Sequence, residues 1–144
     1  MVAPDSLLYE YAVIRYVPRV HREEFVNIGL IMLSKRNGWM KSLVLIDEPR
    51  ILSLYPGADI ESLKRQSRLF EMDTVPASDL PIEEKYRWLT AAKSACLQVS
   101  PSHPGMVHLT TKNSPSENSH STASLSSIQL MEAEFTRLFT SLVL

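Results

Sequence analysis

The chain has 144 residues, of which 44% are hydrophobic and 22% charged, and this is an ordinary composition for a single globular domain spanning residues 1–144. Its formal net charge of -1 disfavours broad binding to nucleic acid or anionic lipid, and no segment approaches the roughly 20 apolar residues of a membrane-spanning helix. Because the N-terminus lacks a secretory signal and the single cysteine, Cys96, cannot form an internal disulfide, we expect a cytoplasmic protein.

Three apolar runs in the first third of the chain predict a β-meander. Residues 7–17, 24–33 and 39–46 are rich in Tyr, Val, Ile and Leu, as strand surfaces prefer. The connections between them are short and polar, so neighbouring runs can pair antiparallel. We therefore expect a three-stranded antiparallel sheet at the N-terminus.

The pair Asn37-Gly38 is the clearest turn signal in the chain. A two-residue type I′ turn needs positive φ at both central positions, which Asn and Gly tolerate best. Such a turn places Arg36 opposite Trp39, and Leu33 opposite Ser42.

The remaining predicted elements are mostly helices, with one short strand. Asp59 is a candidate N-cap, with Ile60, Leu63 and Phe70 on one face of the helix that follows it. Ser126 and Gln129 have capping-box spacing ahead of the last helix, whose apolar stripe needs a core to pack against. The predicted elements are a helical turn at 49–55, a helix at 59–72, a loop at 73–81, a helix at 82–92, a strand at 95–99 closed by the region of Pro101 and Pro104, and a helix at 130–143. The fold class is α+β, an antiparallel meander plus a later strand with helices packed on the sheet.

A stretch rich in Ser and Thr, at about residues 109–127, interrupts this pattern. It contains almost no apolar residue, so burial cannot offset the entropy lost on ordering it. We expect a mobile surface insertion, whose hydroxyls could accept phosphate.

The opening runs resemble a bacterial family of unknown function, DUF3037. Members read Y-x-V-x-R-x-V-P, then a short polar turn, then E-x-x-N-x-G before an apolar strand. The matching positions here are Tyr11, Val13, Arg15, Val17, Pro18, Glu24, Asn27 and Gly29. The resemblance extends to a second block and to a closing helix at 134–139. The second block comprises the run 87–91, then Lys93, Ser94, Gln98, His103 and Gly105.

Two departures from the family pattern bear on function. Ala92 and Lys93 stand where Pro and Arg are expected, and Lys lacks the planar fork that holds a carboxylate or phosphate bidentately. The family's genomic context with toxin-type serine kinases implies such a kinase as a partner.

The first candidate site combines Arg15, Glu24 and Asn27 on two neighbouring strands. A charged pair beside an amide could orient a carboxylate, a phosphate or a base edge. The structural interpretation is a cross-strand ion pair, with Asn27 and Gly29 marking a β-bulge. A buried Asn27 amide needs partners, and capping a neighbouring loop would supply them.

The second candidate site combines Arg87, Thr90, Lys93, Ser94 and His103. Two cations, two hydroxyls and an imidazole could bind an anion, and His103 or Glu24 is the candidate for general-base chemistry. The structural interpretation is a solvated loop histidine. No cysteine or histidine spacing predicts a metal site, and we expect Cys96 to be a buried, inert thiol.

Two functions from different classes follow. The first is a non-enzymatic interaction module, with helices on one sheet face and a partner on the other face or an edge, where a homodimer could also form. The alternative is a small enzyme or nucleotide-binding protein acting on a phosphate-bearing ligand through Arg15, Glu24, Asn27 and His103. Neither hypothesis requires a cofactor.

Overall fold

The computed structural model describes residues 6–71, 80–91, 94–108 and 123–144, with side chains from residue 127 onward in the last range. It is an α+β fold, as predicted. The strands are β1 (Ser6–Arg19), β2 (Glu24–Ser34), β3 (Trp39–Val44), β4 (Leu97–Val99) and β5 (His103–His108). The helices are α1 (Glu48–Leu54), α2 (Ile60–Ser67), α3 (Ile82–Thr90) and α4 (Ala123–Leu142).

All the strands belong to one antiparallel sheet with the order β3-β2-β1-β4, in which β5 also pairs with β1. The long strand β1 has two partners on one side. Its first half pairs with β5, from Ser6 opposite His108 to Tyr11 opposite His103. Its second half pairs with β4, with Arg15 opposite Gln98. The predicted strand at 95–99 therefore joins the sheet beside β1, next to the end of the meander.

The hairpin between β2 and β3 confirms the meander but corrects its turn. A short 3-10 turn at Lys35–Asn37 precedes Gly38, and only Gly38 takes a positive φ in this turn, 58°. Ser34 therefore pairs with Trp39, and Leu33 with Met40, two positions from the predicted register. The type I′ prediction was wrong because Lys35 and Arg36 join the loop instead of extending the ladder.

One sheet face packs against α1, α2 and α3. Alternate residues of β1, among them Ala12 and Ile14, point into a core that also contains Ile51 of α1, Leu63 of α2 and Tyr86 of α3. The Asp59 side chain caps α2 by accepting from the Ser62 amide at 3.0 Å, as predicted.

The opposite face packs against α4. The apolar stripe of α4, including Met131 and Phe135, covers Leu30 and Met32 of β2. The prediction that helices occupy one face only was therefore wrong, because the stripe of the last helix found its core on the other side. The helix begins at Ala123, so Ser126 lies inside the helix and not at its N-terminus, where the capping box was predicted.

Of the remaining sequence predictions, the first three helical segments are confirmed, one strand was missed, and some segments lie outside the described residues. The helical turn at 49–55, the helix at 59–72 and the helix at 82–92 correspond to α1, to α2 with the short 3-10 turn that follows it, and to α3. Strand β5 was missed, because Pro104 suggested the end of a strand, whereas Pro is tolerated in an edge strand such as this one. Most of the predicted loop at 73–81 and residues 109–122 of the Ser/Thr-rich insertion lie outside the described residues. Among the helices that are described, none has the length and apolar character needed to cross a membrane.

Candidate functional site

Alternation along β1 sorts its residues between the two faces of the sheet. Ala12 and Ile14 point into the core under α1–α3, so Tyr11, Val13 and Arg15 point to the face that carries α4. Consistent with this, Tyr11 packs against the α4 core. The Y-x-V-x-R pattern is thus one side of a strand, and its three named positions are partly exposed.

A β-bulge in β2 brings Asn27 to the same face. Ile14 pairs with Gly29, while the next pair is Arg15 with Asn27, so Ile28 is the extra residue. Without the bulge, Asn27 would lie opposite Tyr16 and point into the core under α1–α3. The predicted bulge near Asn27 and Gly29 is confirmed, and it is what places Asn27 beside Arg15.

Gly29 makes this bulge sterically feasible. Ile28 and Gly29 both lie opposite Ile14, so two successive positions face the same side. A Cβ at Gly29 would lie 2.6 Å from the backbone oxygen of Leu43. Only glycine fits here without moving β3.

Two further strands complete a continuous surface. Gln98 of β4 lies opposite Arg15, so Asn27, Arg15 and Gln98 form one row across three strands. His103 of β5 lies opposite Tyr11, and their rings are 5.4 Å apart. We call this surface the motif face. It consists of Tyr11, Val13, Arg15, Asn27, Gln98 and His103.

Arg15 is the chemically unusual member of the motif face. Its guanidinium carbon lies 4.5 Å from the ring centroid of Phe25, a side chain that is 47% exposed. Its Nε is buried and has no hydrogen-bond partner among the described residues. An unpaired buried donor costs about 1–3 kcal/mol. Arg15 is therefore held by an aromatic ring, and no carboxylate in the described part of the chain pairs with its guanidinium.

Asn27 is satisfied within the protein. Its amide nitrogen donates to the carbonyl of Leu142 at 3.0 Å, at the C-terminal end of α4. The last carbonyls of a helix lack intrahelical donors, so this bond caps the helix. The prediction that Asn27 caps a neighbouring loop is therefore wrong, because its amide caps the end of a helix, which also satisfies it without a ligand.

Next to Tyr11 and His103, the Tyr9 side chain forms a partly buried polar pair with α4. The Tyr9 hydroxyl donates to Glu134 of α4 at 2.8 Å, and burial together with this bond raises the pKa of Tyr9. Arg137 beside Glu134, together with the Tyr9 bond, holds the pKa of that carboxyl below its ordinary value. A Cβ at Gly105 would lie 2.2 Å from Tyr9 Cζ, so glycine at this position makes room for the ring.

Glu24 does not join Arg15 and Asn27. It lies opposite Arg19 and pairs with Arg22 at 2.7 Å, and strand alternation puts it on the face opposite to Phe25. The predicted ion pair between Arg15 and Glu24 is therefore wrong. The reason is that Glu24 lies an odd number of residues from Asn27 on β2, and the register shift between Tyr16 and Arg19 adds its extra residue to β1.

The second predicted constellation is divided between the two faces of the sheet. Arg87 of α3 makes a bidentate pair with Glu10 of β1, at 2.8 and 3.2 Å. Ser102 donates to the same carboxylate and shares a hydrogen bond with Tyr86. We call Glu10, Tyr86, Arg87 and Ser102 the closed network. Burial raises the pKa of Tyr86 to about 12, so its hydroxyl stays protonated.

The other members of that constellation have local roles. The Thr90 hydroxyl donates to the Tyr86 carbonyl, and the Ser94 hydroxyl accepts from the Leu97 amide and donates to Gln66. Lys93 lies outside the described residues. Cys96 is exposed, so the expectation of a buried thiol was wrong. His103, expected in a loop, belongs to β5, although its side chain is exposed as predicted.

The motif face can bind an anion or a planar group, since it offers a guanidinium, two amides, a phenol and an imidazole. It has no carboxylate member, and the described residues contain no group of three His, Cys, Asp or Glu side chains placed to hold a metal ion. Sequence reasoning missed Tyr11, Val13 and Gln98 as site residues. The signal that could have found Tyr11 and Val13 is their spacing of four and two residues from Arg15 on one strand.

Comparison with known proteins finds a family model that covers most of the chain. A family model described as "Protein of unknown function (DUF3037)" matches residues 11–115, which includes every residue of the motif face. The match ends before α4, so the closing-helix part of the resemblance lies beyond it. Neither a search of curated proteins nor a search of solved structures found a match.

Proposed function

The chain belongs to the DUF3037 family, and from the geometry of its motif face we propose that it is a non-enzymatic binding module. The module binds an extended, acidic segment of a partner protein. A carboxylate of that segment pairs with Arg15, and its backbone or side-chain amides meet Asn27 and Gln98.

The observation that carries this proposal is the state of Arg15. Its guanidinium is partly exposed, stacks on a half-exposed phenylalanine, and has an Nε without a hydrogen-bond partner among the described residues. Charge-assisted bidentate bonds to a carboxylate are among the strongest that a side chain makes. Arginine and aromatic residues are also the types enriched at binding hot spots.

A partner protein fits better than a small substrate because the site is a surface row. Arg15 does not line the cavity that its cross-strand partner Asn27 borders. Glu24, the acid that an acid–base mechanism with His103 would have used, lies on the other face. The motif face therefore supplies recognition groups without a paired acid and base.

A nucleotide or other phosphate ligand is the second candidate, and the pair of neighbouring Tyr11 and His103 rings, tilted by 35°, favours it. These rings could hold a base while Arg15 holds a phosphate. The two positions are four residues apart on β1, which is roughly 13 Å. Such a spacing suits a nucleoside diphosphate.

Binding of labelled decapeptides, measured by fluorescence anisotropy at low salt, tests the proposal. The host sequence is Gly-Ser, with two adjacent Glu in one peptide and two Gln in the other. We expect the Glu peptide to bind at least about fivefold tighter, since an interfacial charge pair contributes about 1 kcal/mol or more. Arg15→Met should remove this preference.

The matched control is Arg65→Met, which removes an equally charged, exposed side chain from α2 on the other layer. This variant should keep the preference for Glu. Absence of a Glu preference in the wild type, or its persistence in Arg15→Met, would reject the proposal. Binding of ADP that is lost in Tyr11→Ala, without peptide binding, would favour the second candidate instead.

A further inference from the structure

A cavity of about 300 Å³ lies next to the motif face, between β2, α1 and the end of α4. Its walls are mostly apolar and include Val26, Ile28, Leu45, Ile51 and Val143. This volume is at the lower end of ligand pockets and is about ten times the share of one water molecule in the liquid. The cavity can therefore accept one bulky apolar group.

Exposed apolar side chains surround this cavity. Leu45 and Leu144 line it and are 46% and 59% exposed, and Phe25 lies two residues from Asn27 on the same strand face and is 47% exposed. A single exposed leucine is ordinary on a protein surface. A group of them around one apolar cavity is typical of an interaction site.

Two charged side chains of opposite sign, Asp47 and Arg50, line the cavity, so the lining itself is balanced. Arg50 donates to the backbone oxygens of Val143 and Leu144. The Asp47 carboxylate accepts from the Arg50 amide. Arg15 on the neighbouring strand adds a positive charge to this balanced pair, so the surroundings favour an acidic partner over a basic one.

Asn27 joins the cavity to the motif face. It lines the cavity and lies directly opposite Arg15 across β1 and β2. Directly opposed residues in an antiparallel pair are about 4.5–5.5 Å apart. The spacing of about 5 Å between these two backbone positions corresponds to one or two residues of an extended chain, at about 3.3 Å per residue, and we take it as the spacing between the apolar and the acidic residue of a bound segment.

From this arrangement we propose that the cavity is the anchor site for a bulky apolar side chain of the acidic partner segment. The segment carries a Leu-like or Phe-like residue within two positions of the acidic residue that pairs with Arg15. This inference rests on the proposed function and adds a sequence requirement to it. The cavity provides the apolar contact and Arg15 the charged one.

The test places one Leu at every position from one to four residues on either side of the Glu pair in the decapeptides described above. We expect peptides with Leu within two residues of a Glu to bind about tenfold tighter than the Glu peptide without Leu, as burial of a leucine side chain allows. Replacing that Leu by Ser should return the affinity to that of the Glu peptide.

Leu45→Ser and Leu43→Ser form a matched pair for the same measurement. Both leucines are 46% exposed, but only Leu45 lines the cavity. Leu45→Ser should reduce the Leu-dependent gain at least about threefold, whereas Leu43→Ser should leave it unchanged. Thermal melts of both variants confirm that each is folded.

The outcomes separate this inference from the proposed function. A Glu preference that depends on Arg15, without any gain from Leu, would overturn the anchor site and leave the binding module intact. A gain from Leu that Leu43→Ser reduces as much as Leu45→Ser would also overturn it. Loss of the gain in Leu45→Ser alone, with the Glu preference retained, supports the anchor site.

Discussion

Two arginines on opposite faces of the same sheet have contrasting surroundings. Arg87 in the closed network donates from both terminal nitrogens of its guanidinium to the carboxylate of Glu10. The same carboxylate also accepts from Ser102. Arg15 on the motif face has a phenylalanine ring beneath it and a buried Nε without a partner among the described residues. The described residues provide an anion for Arg87 and none for Arg15.

The difference teaches how to separate structural from recognition residues in this sequence. Arg87 and Arg15 both belong to the family-like patterns, so the pattern alone does not distinguish them. An arginine paired bidentately within its own chain has little left to offer a ligand. An arginine with an unsatisfied donor lowers stability, and such a cost is typical of sites that serve function.

The substitution that we expect to disturb the motif face most is Gly29→Ala. The added Cβ would lie 2.6 Å from the Leu43 backbone oxygen, so β3 would have to move. We expect a loss of about 2 kcal/mol in the free energy of unfolding, measured by urea denaturation. Gly57→Ala is the control, because its Cβ would meet only the Tyr55 ring at 3.2 Å. An equal loss in both variants would contradict the role assigned to the bulge.

A moderate effect is expected when the closed network is opened by Glu10→Ala. The carboxylate is 27% exposed and its partner Arg87 is 53% exposed, so solvent screens the pair. We expect a loss of about 1 kcal/mol, and a melting temperature lower by about 3 °C. Glu84→Ala, on the exposed side of α3, should change the melting temperature by less than about 1 °C. Unchanged stability in Glu10→Ala would show that the network does not contribute to the fold.

The smallest effect, and the sharpest contrast, is expected for Arg15→Met. Methionine keeps most of the side-chain volume and removes the unpaired Nε, which offsets the lost contact with Phe25 of about 0.5–1 kcal/mol. The free energy of unfolding should stay equal to that of the wild type or rise by up to about 1 kcal/mol. A loss of more than about 1 kcal/mol in urea denaturation would indicate that Arg15 is structural, like Arg87.

The meander, the bulge and the helices of the first layer could be predicted because their signals are local. Period-two runs, short polar connections and the Asp59 cap each act within a few residues. The register of the β2–β3 hairpin could not be predicted, because the turn Asn37-Gly38 is compatible with more than one loop length. Strand β5 was missed because Pro104 is tolerated only at an edge, and edges are not visible in a sequence.

The candidate site was predicted in part. Arg15 and Asn27 were expected to meet and do so, because a predicted bulge and a predicted pairing both hold. Glu24 was assigned to the wrong face. The bulge at Ile28 brings Asn27 to the face of Arg15, and alternation along β2 then puts Glu24 on the other face. Gln98 and His103 joined the site through β4 and β5, whose pairing with β1 is a long-range contact that no local pattern encodes.

The sequence by itself determined most of the segments that become strands and helices, and that Tyr11, Val13 and Arg15 share one side of a strand, because these properties follow from backbone periodicity. Only the tertiary structure decided that β5 joins the sheet, that α4 covers the opposite face from α1–α3, that Glu10 pairs with Arg87, and that no described residue supplies an anion to Arg15. Those outcomes depend on contacts between residues far apart in the chain, and such contacts are set by how the whole core packs.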